Sequence, residues 1–160
     1  MSNIFVFVEG KDDSRFINFV LVDFFNLNKS IILKAIPYKN KARVNTVKLI
    51  KQIIETGSGD YIFLSDLDRH TYPCVTSRKN SRIKEFHNPE YDDLDFEKIF
   101  IVVEEIESWY VAGIDTSLKQ FKNLDIPDNT DTFTKEQFDE LISNSNFSSR
   151  IDFFMEIVRN

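Results

Sequence analysis

The chain has 160 residues, 42% of them hydrophobic and 16 of them Phe, which is enough for one domain with a sizeable core, or one domain with a small helical appendage. A formal net charge of -6 and a pI near 5.0 exclude a protein that coats nucleic acid by bulk charge alone. They leave room for an enzyme that meets phosphates through a bound cation. The single cysteine, Cys74, excludes an intramolecular disulfide and suits a reducing compartment.

The opening "MSNIFVFVEG" lacks the basic region and long apolar run of a signal peptide, and no apolar stretch approaches the roughly 20 residues that span a bilayer. A soluble cytoplasmic chain with no membrane contact is expected. "NIFVFVEG" is a continuous run of β-branched and aromatic residues, the pattern of a strand covered on both faces. "DDSRFINFVLVDFFNLN" then sets Phe16, Phe19, Val20, Phe24 and Leu27 at helical spacing, with Asp12 and Asp13 near the helix start. "SIILKAIP" predicts a second strand stopped by Pro37. A helix follows with Val44, Val47, Ile50 and Ile54 on one stripe, ended by Gly57 and Gly59. "YIFLSD" is the third strand. Strand and helix alternate at intervals that suit right-handed crossovers, so a parallel sheet with helices on its faces is the economical architecture.

Residues 69–97 change character. Five Lys/Arg and two His face one acid, Glu85, up to His87, and from 88 to 97 there are five acids and no base. A long surface loop with one short helix around 81–86 is expected there. "KIFIVV" restores a strand and "EEIESWYVAG" a helix closed by Gly113, with Trp109 and Tyr110 in the core. Beyond it, Thr134 with Gln137 three residues on makes a capping-box pattern, and Ile151, Phe154, Met155 and Val158 recur at helical spacing. Residues 1–113 are taken as the sheet domain and 114–160 as a helical extension packed on it.

The chemistry lies at the predicted strand ends. In a parallel α/β sheet, side chains at the carboxyl ends converge on one edge, where ligands bind. Glu9 ends the first strand, Asp66 and Asp68 the third, and Glu104, Glu105 and Glu107 follow the fourth. Two carboxylates about 5 Å apart at an effective dielectric near 20 repel by roughly 3 kcal/mol. Strand period keeps Asp66 and Asp68 on one side if the extended geometry persists, and Mg²⁺ or Mn²⁺, which take carboxylate oxygens, would resolve the repulsion. A solvated loop pair is the plainer alternative for an isolated D-x-D. Likewise Asp12 and Asp13 also suit the positive end of a helix, and Glu104, Glu105 or Glu107 an exposed helix start.

Together, "FVEGKDD" and "FLSDLDRH" resemble the signature of the Toprim fold, shared by topoisomerases, bacterial primases and OLD-family nucleases, over about residues 3–113. The resemblance implies an α/β, Rossmann-like, mostly parallel sheet of about four strands, and a metal-dependent nuclease acting on DNA or RNA with one or two Mg²⁺ or Mn²⁺ ions. By position, Glu9 matches the family glutamate, a metal ligand or general acid/base; Asp66 and Asp68 match the metal-binding pair; and Asp13 fits a second-metal ligand of the nuclease-like branch. "VVEEIESWYVAG" resembles a segment of small Toprim-like proteins, which makes Glu105 or Glu107 a further candidate ligand. No tyrosine-bearing topoisomerase domain, zinc module or polymerase module accompanies these motifs, and no GxxxxGK[ST] loop is present. The implied setting is an anti-phage or toxin-like system with a separate ATPase subunit.

Lys11, Lys39, Lys41, Arg43, Arg69 and His70 lie by sequence near the same edge and are the candidate nucleic-acid contacts, with Tyr72 as a stacking face. Lys11, Arg69, Lys119 and Lys122 are the candidates for a base that stabilises the transition state. Two rivals remain. A haloacid-dehalogenase-type phosphatase would use Asp66 as nucleophile, but position 70 is His and the motif sits on the third strand. A non-catalytic regulatory module would gain nothing from crowded carboxylates.

Overall fold

Four mostly apolar runs pair side by side into one parallel sheet, ordered β2-β1-β3-β4. They are β1 (Ser2–Val8), β2 (Ile31–Pro37), β3 (Asp60–Asp66) and β4 (Ile99–Val102). This is a computed structural model and describes residues 2–22, 31–68, 71–90, 94–103, 105–112 and 114–158, the side chain at 158 excepted. The flanking helices are α1 (Lys11–Phe16), α2 (Arg43–Glu55), α3 (Val75–Phe86), α4 (Glu107–Val111), α5 (Lys135–Ser143) and α6 (Arg150–Val158). The expected α/β, Rossmann-like class is therefore the observed one. Among the described residues, no helix is long and apolar enough to cross a membrane.

Strand alternation divides the interior into two cores. Phe7, Tyr61, Phe63 and Ile99 face one way and meet Tyr38 just after β2, Val47, Ile50 and Ile53 of α2, and Phe86 of α3. Val6, Val8 and Leu64 face the other and meet Phe16, Ile17, Tyr110, Phe138, Phe153 and Phe154. In that second core the Tyr110 ring lies 4.7 Å from Phe16, 4.8 Å from Phe154 and 5.2 Å from Phe138, so segments from both ends of the chain share one aromatic cluster. Thr134 caps α5 reciprocally with Gln137, as its sequence predicts.

Two glycines are demanded by backbone. Gly57 closes α2 at φ +59, the left-handed region. A Cβ on Gly59 would stand 2.4 Å from the Asn3 carbonyl oxygen, so only glycine lets β3 begin beside β1.

Several helix faces differ from their predicted stripes. After Phe16 the first helix widens into a π-helical stretch, Ile17–Leu21, which turns Ile17 into the core and leaves Phe19 at 37% exposure. Phe24 and Leu27, expected to continue the stripe, lie outside the described residues. On α2 the buried set is Thr46, Val47, Ile50 and Ile53, and Val44 and Ile54 are exposed. On α6 it is Phe153 with Phe154, leaving Ile151 and Met155 at the surface. Tyr110 is core and Trp109 is exposed. The largest correction concerns residues 69–97. In place of a loop with a short helix stands the 12-residue α3. Its buried face is Arg78, Arg82 and Phe86, spaced by four, so two of three inward positions are charged and no apolar period shows.

Phe138 is fully buried among Tyr110, Phe153 and Phe154. Phe138→Ala should lower stability by about 3–5 kcal/mol. Urea unfolding should still show one transition by fluorescence and circular dichroism, because 114–158 and the sheet share that core; two separated transitions would contradict this.

Candidate functional site

The carboxyl edge of the sheet carries the acids, but the pleat sorts them. Phe7 pairs with Phe63, so the register carried forward sets Glu9 beside Ser65 rather than beside Asp66. The contacts agree: Ser65 Oγ donates to Glu9 Oε1 at 2.9 Å. Both belong to the face of Phe7 and Phe63, over which α3 lies. Asp66, one residue on, belongs to the face of Leu64.

On the α3 side Glu9 is held by two guanidinium groups. Arg78 Nη2 donates to Glu9 Oε1 at 3.2 Å, and Arg82 Nη2 donates to the same oxygen. Arg78 Nε also donates to the Asp66 carbonyl at 2.8 Å, and Arg82 Nε to Ser65 Oγ at 2.8 Å. Arg82 Nη1 reaches Glu85, whose other oxygen lies 3.2 Å from Arg43. Each arginine is only 6% exposed. Charges this buried persist only when paired, so the knot fixes the middle of α3 to the ends of β1 and β3. Neither arginine carries a motif in the sequence. A spacing of four in a basic segment was the only available signal.

The other side of the edge gathers Asp66, Asp13, Glu105 and Glu107. Asp13, in the first turn of α1, accepts from the Gly10 N–H at 2.7 Å and from the Tyr110 hydroxyl at 3.2 Å. Burial nevertheless holds its pKa above the usual carboxylate range, against those two hydrogen bonds. Glu107 is buried and accepts from Arg150 Nη1 at 3.0 Å; burial raises its pKa too, with Arg150 opposing. Glu105 accepts from the N–H of Lys135 at the start of α5. Arg150 also contacts Asp12 at 3.5 Å and Asp139 at 2.6 Å, tying α6 to α1 and α5.

Among the described residues, nothing donates to the carboxylates of Asp66 and Asp68. The Asp66 carboxyl is half-buried, and burial first, then the charges of Glu9, Asp13, Glu107 and Glu105, push its pKa up to about 8. Asp68 does not share its face. Extended geometry stops at Asp66, Asp68 has φ +52, and its carbonyl accepts from the N–H groups of Thr71 and Tyr72, each at 2.9 Å. Aspartate tolerates that left-handed turn, which delivers the Asp68 side chain to solvent. The strand-period argument for the pair therefore fails at its second member.

Among the described residues, no three His, Cys, Asp or Glu side chains converge closely enough to hold a metal ion. The donor chemistry suits a hard cation at Asp66, whose repulsions a positive charge would relieve. Of the basic candidates, Lys39 Nζ stands 3.9 Å from Glu9 Oε2, Arg43 binds Glu85, and Lys11 and Lys41 are exposed. Arg69 and His70, like Glu104, lie outside the described residues. Comparison with protein-family models, curated proteins and solved structures finds no match to this chain. The Toprim resemblance thus rests on its two motifs.

The raised pKa of Asp66 has a sign. The folded state binds its proton more tightly than the unfolded chain, so this group's contribution to stability is full below about 3.8 and is lost as pH rises through about 8. With divalent ions chelated, the melting temperature should fall between pH 5 and 8, and Asp66→Asn should flatten that fall. A slope unchanged in Asp66→Asn would show that Asp66 titrates in its ordinary range.

Proposed function

We propose that the chain is a metal-dependent phosphodiesterase of the Toprim type that hydrolyses DNA or RNA. The observation that carries this reading is Asp66: a half-buried carboxyl at a strand's carboxyl end, ringed by four acids and without a hydrogen-bond donor among the described residues. Once ionised, such a group is unfavourable to the fold, and a divalent cation is the simplest partner for it. Asp66 and Asp68 would hold Mg²⁺ or Mn²⁺, with Asp13, Glu105 and Glu107 as the neighbouring acids. The cation would supply charge neutralisation at the phosphate and a water ionised near neutral pH.

The chain's own residues supply the rest. Glu9, held by Arg78, Arg82 and Ser65, is the group to carry a proton to or from the reacting oxygens. Arg78 and Arg82 supply positive charge beside it, the role that sequence alone left among Lys11, Arg69, Lys119 and Lys122. The single exposed thiol, Cys74, accords with a cytoplasmic setting. ATP-driven steps would fall to a separate ATPase subunit, because the chain has no phosphate-binding loop of that type.

A second reading has its own observation. Glu9, Asp13, Glu105 and Glu107 each already accept hydrogen bonds, which is what a non-catalytic partner-binding module of the same fold would show. Incubation with Mg²⁺ or Mn²⁺ and labelled DNA or RNA separates the two. The nuclease reading expects cleavage that chelation abolishes and that Asp66→Ala and Glu9→Gln each slow by about a hundredfold or more. Cleavage that is absent, or that survives both substitutions, supports the non-catalytic reading.

A further inference from the structure

Beside the Glu9 knot lies an open cleft of about 570 Å³ lined by four cations, Arg43, Arg78, Arg82 and Lys84, by the ring of Tyr72, and by one acid, Glu85. In a chain of net charge -6 this is a local excess of positive charge, placed at the carboxyl edge where parallel sheets bind ligands. We propose that the cleft is a binding subsite for a backbone phosphate of a nucleic-acid strand, and that Glu9 occupies its arginine pair in the free protein. The inference rests on the nuclease reading only for the identity of the ligand.

The hydrogen bonding points to a tetrahedral oxyanion. Arg78 and Arg82, one helical turn apart, both donate to a single oxygen, Glu9 Oε1, while among the described residues Oε2 has only Lys39 at 3.9 Å. The Nε groups already bond the Asp66 carbonyl and Ser65 Oγ, and Arg82 Nη1 bonds Glu85. The donors open to exchange are therefore the two Nη2 groups that crowd onto one carboxylate oxygen, and a phosphate offers an oxygen to each. Arg43 and Lys84 stand exposed at the rim, where a neighbouring phosphate of the same strand would meet them. The Arg78 guanidinium lies 4.5 Å from the centre of the Tyr72 ring, which holds that ring at the cleft as a face for a base. Glu9 and the phosphate compete for the same two arginines. The acid that acts in the reaction is thus neutralised until a strand arrives.

The test measures binding of a labelled single-stranded oligonucleotide of about 12 nucleotides by fluorescence anisotropy, in chelator, so that neither metal nor cleavage enters. Glu9→Gln should tighten binding by about tenfold, because it removes the competing charge and keeps the shape. Glu55→Gln removes an equal charge from the exposed end of α2 and should change binding by less than about twofold. Arg43→Ala and Lys84→Ala, both on exposed side chains, should weaken binding by about threefold and lower the slope of log K against log salt by about 0.7 each. Arg82→Lys should weaken binding further; if its melting curve shows that it unfolds, the two rim variants decide. Tightening no greater in Glu9→Gln than in Glu55→Gln, or an unchanged salt slope in both rim variants, would overturn the subsite. Failure here with cleavage intact leaves the nuclease with another phosphate site. The expected binding without cleavage keeps the subsite and removes the nuclease.

Discussion

Two guanidinium groups on one carboxylate oxygen hold the carboxyl edge together, and most of the site's arrangement follows from them. Arg78 and Arg82 cannot sit nearly buried without an anion, and Glu9 cannot sit beside Ser65 without a cation. Removing either side of a buried pair costs about 3–5 kcal/mol, so the three residues constrain one another strongly. The same arginines bond the Asp66 carbonyl and the Ser65 hydroxyl, which are backbone and side chain of the strand that ends in the D-x-D motif. Helix α3 is therefore positioned by the polar contacts of Arg78 and Arg82 along its middle and by Phe86 in the aromatic core at its carboxyl end. A helix held in this way brings positive charge to a sheet edge that would otherwise be almost wholly negative.

The edge is consequently divided in two. On the α3 face, acid and base are balanced and hydrogen-bonded. On the opposite face, Arg150 answers Glu107 and the α5 amino terminus answers Glu105, yet among the described residues no donor answers the Asp66 carboxylate. Both counter-charges there come from the last third of the chain, so the carboxyl-terminal helices do more than cover Val6, Val8 and Leu64. They neutralise the outer acids and concentrate the remaining negative potential on one carboxyl group.

How much of this was legible in the sequence depended on whether the carrying residues were apolar. The strands could be read because "IFVFV" and "YIFLS" are almost wholly apolar, "IILKAI" is broken only by Lys34, and turn residues bound them. The α5 start was legible because Thr134 and Gln137 stand at capping distance. Helix α3 was not, because its inward stripe is Arg78, Arg82 and Phe86, and a hydrophobic period cannot register an arginine turned inward. Faces on the first helix were misassigned after Phe16 because a π-helical stretch alters the residues per turn that the pattern assumes. The acids were placed at the right edge, but residue types alone could not tell Glu9 from Asp66 by face. That distinction needs the pairing register of β1 on β3, which is set by tertiary contacts.

The register also changes what the paired motifs mean. A Glu on one strand and an Asp on the next-but-one suggest a shared ligand only if both point to the same side, and here an even offset places Ser65, not Asp66, opposite Glu9. The two carboxylates remain near enough for Glu9 to be the first charge, after burial, that raises the Asp66 pKa. Coupling through space thus survives without a shared donor. Neutralising Glu9 on its own face lowers the negative charge that Asp66 feels, and withdrawing the arginines from Glu9 would raise it. The acids on the two faces are therefore linked: whatever draws Arg78 and Arg82 away from Glu9 strengthens the pull of the opposite face on a cation.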